Sequence, residues 1–225
     1  MRFGFSHRIV LKFRSISYPE LTVIAGVILN SLVWCTISLL RYYSMMDRVF
    51  DSGIISLTLE YNLHYINIPF IMYMAGFSLD RLLFSPLILI DGIPGMLVIQ
   101  EIALSVPAYI IFKLAQLKIK DNVSSMLISL SYLIYFPLAG AFYFDYHFQT
   151  FFILFFLLGI YLFETRHYKL STLSLFLAGS VRFPFMIFPF LFVFLIFSKI
   201  VLNKGEIEYG VKKFAILNTL IMGVF

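Results

Sequence analysis

LTVIAGVILNSLVWCTISLL, residues 21–40, runs twenty positions without a charged side chain. About 20 consecutive apolar residues in α-helical geometry cross a bilayer core of roughly 30 Å. The segment before it, MRFGFSHRIVLKFRS, is basic. The apolar run is too long for the core of a cleaved signal peptide, and no small-x-small cleavage site follows it. It reads as an uncleaved first span with its N-terminus on the cytoplasmic side.

The rest of the chain repeats this texture. Of 225 residues, 61% are hydrophobic and 13% charged, and mean hydropathy is +0.94. A soluble domain carries about twice that charge. The apolar runs are continuous rather than alternating, which argues against a β-barrel. The fold class is therefore all-α: a polytopic membrane protein of about 6–7 transmembrane or half-membrane helices. Residues 1–20 are a basic cytoplasmic N-terminus, and residues 21–225 form one transmembrane domain. The net charge of +5 follows from topology and does not imply a nucleic-acid partner. Membrane lipids are the expected partners, and the cell membrane the expected location. Cys35 is the single cysteine, so no intrachain disulfide can form.

After the first span, residues 41–95 form a long outer loop. Asp47, Arg48, Asp51, Glu60, Asp80 and Arg81 are scattered there among apolar residues. The segment is too polar to span and too oily for a linker, which suits amphipathic helices at the interface. Its last part, residues 83–95, is punctuated by Pro86, Gly92, Pro94 and Gly95 and reads as a short re-entrant piece. Further spans are expected over residues 96–114, 124–143 and 149–163.

Residues 170–198 could be one long span or a hairpin. Phe183 precedes Pro184, and a residue before proline avoids helical geometry. A hairpin puts Arg2, Arg8, Lys12, Arg14, Lys113, Lys118, Lys120, Arg166, Lys169, Lys199, Lys204, Lys212 and Lys213 inside. That is 13 of the 17 Lys and Arg, leaving Arg41, Arg48, Arg81 and Arg182 outside. This positive-inside bias favours the hairpin. A last apolar run begins near residue 214, and the sequence stops about 12 residues into it, too short to cross. The expectation is a truncated product or a fragment.

On this topology the acids Asp47, Asp51, Glu60, Asp80, Asp91, Glu101 and Asp145 face outward, with Arg182, His64 and His147. Asp51 is a candidate proton acceptor or cation ligand, or else a helix N-cap. Asp47 lies one turn earlier and can share its face. Asp145 and His147, in FDYHFQ, are candidate catalytic groups beside Gln149, or else a polar turn in which Asp145 caps the next helix. Their i, i+2 spacing points them apart, so a metal would need ligands from elsewhere. Arg182 suits a phosphate headgroup because its fork binds oxygens two at a time; otherwise it snorkels to the surface. Glu101 lies inside a span and should face protein or water. No GxGxxG, P-loop, GxSxG or HExxH pattern occurs.

Several of these pieces recur in order. FDSGI (residues 50–54) follows the first span, then FSP (84–86), Gln100, Pro107, FDYH (144–147) and Val181-Arg182. The ordered set resembles the membrane proteins of archaea and bacteria grouped as domain of unknown function 2079. That family looks like a relative of the membrane glycosyltransferases of the C-type fold. The resemblance implies a cytoplasmic N-terminus, a first outer loop with interfacial helices, and a polyprenyl-phosphate sugar donor. It implies a catalytic role for Asp51, Asp145 and His147, with Arg182, Asp47 and Gln149 on the substrate. A divalent cation is the candidate cofactor. The chain departs from the family at Ser56-Leu57, Leu83, Phe148-Gln149 and Phe183-Pro184, where the family tends to carry ionisable groups. A non-catalytic multi-pass protein and a transporter are the alternatives.

Overall fold

The computed structural model describes residues 17–46, 88–181, 183–202 and 209–222, together with residues 53 and 86. Every regular element among them is helical. Asp47, Asp51 and Arg182 lie outside the described residues, as do the N-terminal segment 1–16 and most of the first outer loop with its expected interfacial helices.

α1 is Tyr18–Tyr43. Ser17 caps it by accepting the Glu20 N–H at 3.4 Å, and a proline sits in the first turn, where no N–H is missed. At its far end Ser44 donates back to the Leu40 carbonyl.

α2 (Ile88–Ser105) and α3 (Pro107–Ile119) run together as one apolar rod from Asp91 to Ile119. The expected span of residues 96–114 is therefore too short at both ends. Of the expected re-entrant piece, residues 88–95 open the rod, while residues 83–85 and 87 lie outside the described residues. The backbone leaves helical geometry at Asp91 (φ −162°, ψ 31°) and Gly92 (φ 58°, ψ −139°). Gly92 holds a positive φ that a side chain would strain. Pro94 and Gly95 lie beyond that break, in the first turn of the continuing helix, where proline is tolerated.

α4 (Asn122–Leu133) and α5 (Phe136–Phe142) are bent by 50° at residues 134–135. The span expected over residues 124–143 is thus broken. Tyr135 is extended (φ −67°, ψ 116°), and Pro137, in the first turn of α5, lacks the N–H that a continuous helix would use. α6 (Thr150–Glu164) agrees with the expected fourth span to within a residue at each end. α7 (Tyr168–Ser180), a 3₁₀ turn (Phe183–Met186) and α8 (Ile187–Leu202) break the 170–198 run near Pro184 as expected, but the second piece, Pro184–Leu202, is long enough to cross by itself, where two short pieces were expected. α9 is Tyr209–Met222.

By length and composition, three of these can cross a membrane: Tyr18–Tyr43, Asp91–Ile119 and Pro184–Leu202. The bent α4–α5 pair makes a fourth if it counts as one span.

Apolar side chains give helices little reason to associate inside a bilayer, because lipid tails are equally apolar. Close contacts and hydrogen bonds do that work. α1 lies antiparallel to the α2–α3 rod, joined by polar links spaced along its length. Glu20 pairs with Lys113 at 2.6 Å, Asn30 donates to Ser105 at 2.9 Å, and Ser38 donates to Glu101 at 2.7 Å. α4 folds back on α3, with Ser129 donating to the Ala108 carbonyl at 2.6 Å. α6 and α7 meet at Gly159, where Ser171 reaches the Gly159 carbonyl and Ser174 the Phe155 carbonyl, each at 2.7 Å. α9 is tied to α7 by Asn218 donating to Thr172 at 2.8 Å.

Candidate functional site

The α5–α6 connection, residues 143–149, lies against α1 and α2. Its aromatic residues anchor it. Tyr146 and Phe148 are buried in one cluster with Met96 and Leu97 of α2, Phe151 of α6, and Val181. This burial carries the polar residues between them into the protein.

Asp145 is 1% exposed. It does not cap α6: that helix begins at Thr150 after Gln149, and no side chain caps its N-terminus. Asp145 instead pairs with Arg41, at 3.7 Å from Nη2. Arg41 comes from the last turn of α1, where a cation also meets the negative end of the helix dipole. Its guanidinium lies 4.0 Å from the Tyr143 ring centre and donates to the Tyr143 carbonyl. The turn reading of Asp145 thus gives way to a buried ion pair.

His147 is fixed at two points. Its backbone N–H donates to Gln100 Oε1 at 2.7 Å. Its Nδ1 lies 2.9 Å from the Asp145 carbonyl. A carbonyl only accepts, so Nδ1 carries the proton and Nε2 is the basic nitrogen of the neutral ring. The Phe144 ring meets the imidazole edge-on at 4.8 Å. Asp145 and His147 therefore do not simply point apart. The Asp145 backbone orients the His147 ring while its carboxylate turns to Arg41.

Gln100 and Glu101 sit side by side on α2, and both are fully buried. Glu101 Oε1 accepts from Ser38. Its Oε2 and the Gln100 Nε2 are buried without a hydrogen-bond partner of good geometry. Gln100 links α2 to the His147 segment, and Glu101 links α2 to α1. Arg41 serves the loop directly and also acts on Glu101 through its field.

Among the described residues, Asp145 and His147 thus come together at one end of α1 and α2, and Gln149 follows them at the N-cap position of α6. No group of three or more His, Cys, Asp or Glu side chains able to hold a metal occurs among the described residues. The divalent-cation expectation finds no ligand set there.

Sequence reasoning placed Arg41 only in a charge count and Ser38 not at all. The signal for Arg41 was weak but present: a lone cation closing an apolar run next to a span that contains an acid. Asp91, by contrast, is exposed at the break that opens the rod and joins no cluster.

Comparison with family models, curated proteins and solved structures finds no match for this chain.

Proposed function

We propose that this chain is a membrane glycosyltransferase of the C-type-fold kind, acting on a polyprenyl-phosphate-linked sugar at the outer membrane face. The observation that carries the reading is the gathering of Asp145 and His147 with Arg41 and Gln100, buried at one end of α1. An acid, an oriented imidazole and a guanidinium near the end of a span suit a headgroup that carries both hydroxyls and phosphate. The ordered motifs from FDSGI to Val181-Arg182 support the same reading.

In this proposal Asp51 takes the proton of an acceptor hydroxyl. The acceptor oxygen bonds to the anomeric carbon, and the bond from that carbon to the phosphate oxygen breaks. The lipid phosphate leaves with the electron pair. Arg182 holds the phosphate, with Asp47 and Gln149 toward the sugar, and Asp145 and His147 shape the site. The proposal includes a cytoplasmic N-terminus and six to seven full or partial crossings in the cell membrane, with the shorter α6, α7 and α9 among them.

The test is transfer of labelled sugar from a polyprenyl-phosphate donor in membranes holding this protein. Asp51→Ala and Asp145→Asn should each abolish transfer at unchanged expression. Full transfer by both variants overturns the reading.

A second reading, a transporter, is favoured by one observation: Glu101 is fully buried inside a candidate span. Solute flux into proteoliposomes that is lost on Glu101→Gln would support it over the enzyme.

A further inference from the structure

We propose that Glu101 is the binding site of one small monovalent cation, a proton or a sodium-sized ion, held within the membrane. The argument starts from position. Glu101 is ten residues along the apolar rod that begins at Asp91, which places it about 15 Å from that end. Its partner Ser38 lies five residues before the end of α1, so the carboxyl sits inside the candidate span, toward the end that carries residues 143–149.

It is 0% exposed. Ser38 donates to Oε1 in good geometry, and the neighbouring Gln100 amide lies close enough to act on the carboxyl without meeting Oε2 in good geometry. Oε2 has no hydrogen-bond partner, although it is fully enclosed. No cation of the described residues lies within ion-pair distance of it, since the ion pairs formed there involve Asp145, Glu20 and Glu164.

The groups facing it from its surroundings are few. α1 supplies Ser38, Cys35 and Arg41, and Gln100 is its neighbour on α2. Asp145 and His147 of the 143–149 segment engage other partners, Arg41 and Gln100. Arg41 is the nearest source of positive charge, and it is committed to Asp145 and the Tyr143 carbonyl.

An ionised carboxylate with a bare oxygen and no ion pair is among the costliest groups to bury, and more so at membrane depth. Mutation has an easy escape from that cost, because glutamine or leucine fits the same helix. A carboxyl in this place is therefore accounted for by an occupant that brings one positive charge to Oε2. The Ser38 hydroxyl and the Gln100 side chain supply the remaining polar surface.

The occupant also bears on the outer segment. Losing it would leave Glu101 charged beside Ser38, one helical turn from the Arg41 that pairs with Asp145. Loading at Glu101 is thereby coupled to how firmly Arg41 holds the 143–149 segment. This inference rests on neither functional reading, and its test involves no sugar transfer.

The experiment is infrared difference spectroscopy of the full chain in lipid, wild type minus Glu101→Gln, at neutral pH. Spectra are taken in choline chloride and again in sodium chloride. A proton as occupant gives a carboxylic-acid C=O band in both salts, and the band shifts down in D2O. A sodium-sized ion gives carboxylate bands that move when sodium replaces choline. Either result supports the site and names its occupant. Carboxylate bands that are the same in both salts overturn it.

Ser38→Ala provides a second comparison that keeps the carboxyl and so does not depend on the glutamine variant folding. Removal of the Ser38 hydrogen bond should shift the Glu101 band. No change in any carboxyl band on Ser38→Ala overturns the geometry on which the inference stands.

Discussion

Gln100→Leu should release the segment that carries Asp145 and His147 while leaving the rest of the bundle in place. Gln100 is fully buried, and its Oε1 takes the His147 backbone N–H at 2.7 Å, across 47 residues of sequence. Leucine keeps most of the side-chain volume and removes the acceptor. The His147 N–H then loses its acceptor beside the buried Tyr146 and Phe148. Leaving a buried donor unsatisfied costs about 1–3 kcal/mol.

If that cost falls on local opening of residues 143–149, the opening equilibrium rises by about 5- to 150-fold. Hydrogen–deuterium exchange of the protein in lipid reads this directly. The His147 amide and its immediate neighbours should exchange faster by that factor. Amides of α6 and α7 should keep their wild-type rates, since their mutual contacts do not involve Gln100. The reasoning is refuted if His147 protection is unchanged, because the Gln100 bond then does not hold the segment. It is refuted as well if α6 and α7 loosen equally, because the effect is then global.

Other outcomes follow from the same contacts. A Cβ on Gly159 would meet Leu175 Cδ2 at 2.7 Å and Cγ at 2.8 Å, with the Leu175 backbone N at 3.4 Å. Gly159→Ala should therefore push α6 and α7 apart at a cost of about 1–3 kcal/mol. Unfolding in mixed micelles would show it, and adding Leu175→Ala should relieve part of the strain so that the two changes are not additive. Asn218→Leu removes the bond to Thr172 and should lower stability by about 0.6 kcal/mol, with about 1.7 as the upper range for such bonds in a membrane. A loss above that range in the same assay would mean that Asn218 does more than bridge α7 and α9.

Asp121 caps α4 by accepting from the Ser124 N–H at 2.7 Å, and hydrogen bonding to Ser124 holds its carboxyl below the usual aspartate value. The cap's contribution is complete above the ordinary carboxylate range and is lost as pH falls through the depressed value. Amide exchange at the start of α4 should therefore quicken on acidification, and should lose that pH dependence in Asp121→Ala.

The site was partly legible beforehand. Asp145, His147 and Gln149 stood out because ionisable and amide side chains between two oily runs are conspicuous. Glu101 stood out because an acid inside a span must face protein. What could not be read was where Asp145 would turn. As a residue before a helix it looks like a cap, and capping is a local rule. The structure breaks that rule because Tyr146 and Phe148 bury the connection, and a buried carboxylate needs a cation more than a helix needs a cap. The bend at residues 134–135 was legible in principle, since Pro137 stands there just as Pro184 stands in the hairpin. Apolar content over residues 124–143 outweighed it.

The sequence by itself determined that the chain is all-helical and carries helices apolar enough for a membrane, together with some of their ends, such as those of α6. Those properties depend on neighbours a few positions apart: apolar runs long enough to cross, and prolines and glycine that interrupt them. The tertiary structure alone decided that Arg41, Glu101 and Asp145 share one place. Arg41 reaches the Tyr143 carbonyl over 102 residues, and Ser38 reaches Glu101 over 63. In a bilayer every helix is apolar on most faces, so hydropathy does not specify which face meets which partner. Scattered hydrogen bonds and small-residue contacts make that choice, and only the assembled helices bring them together.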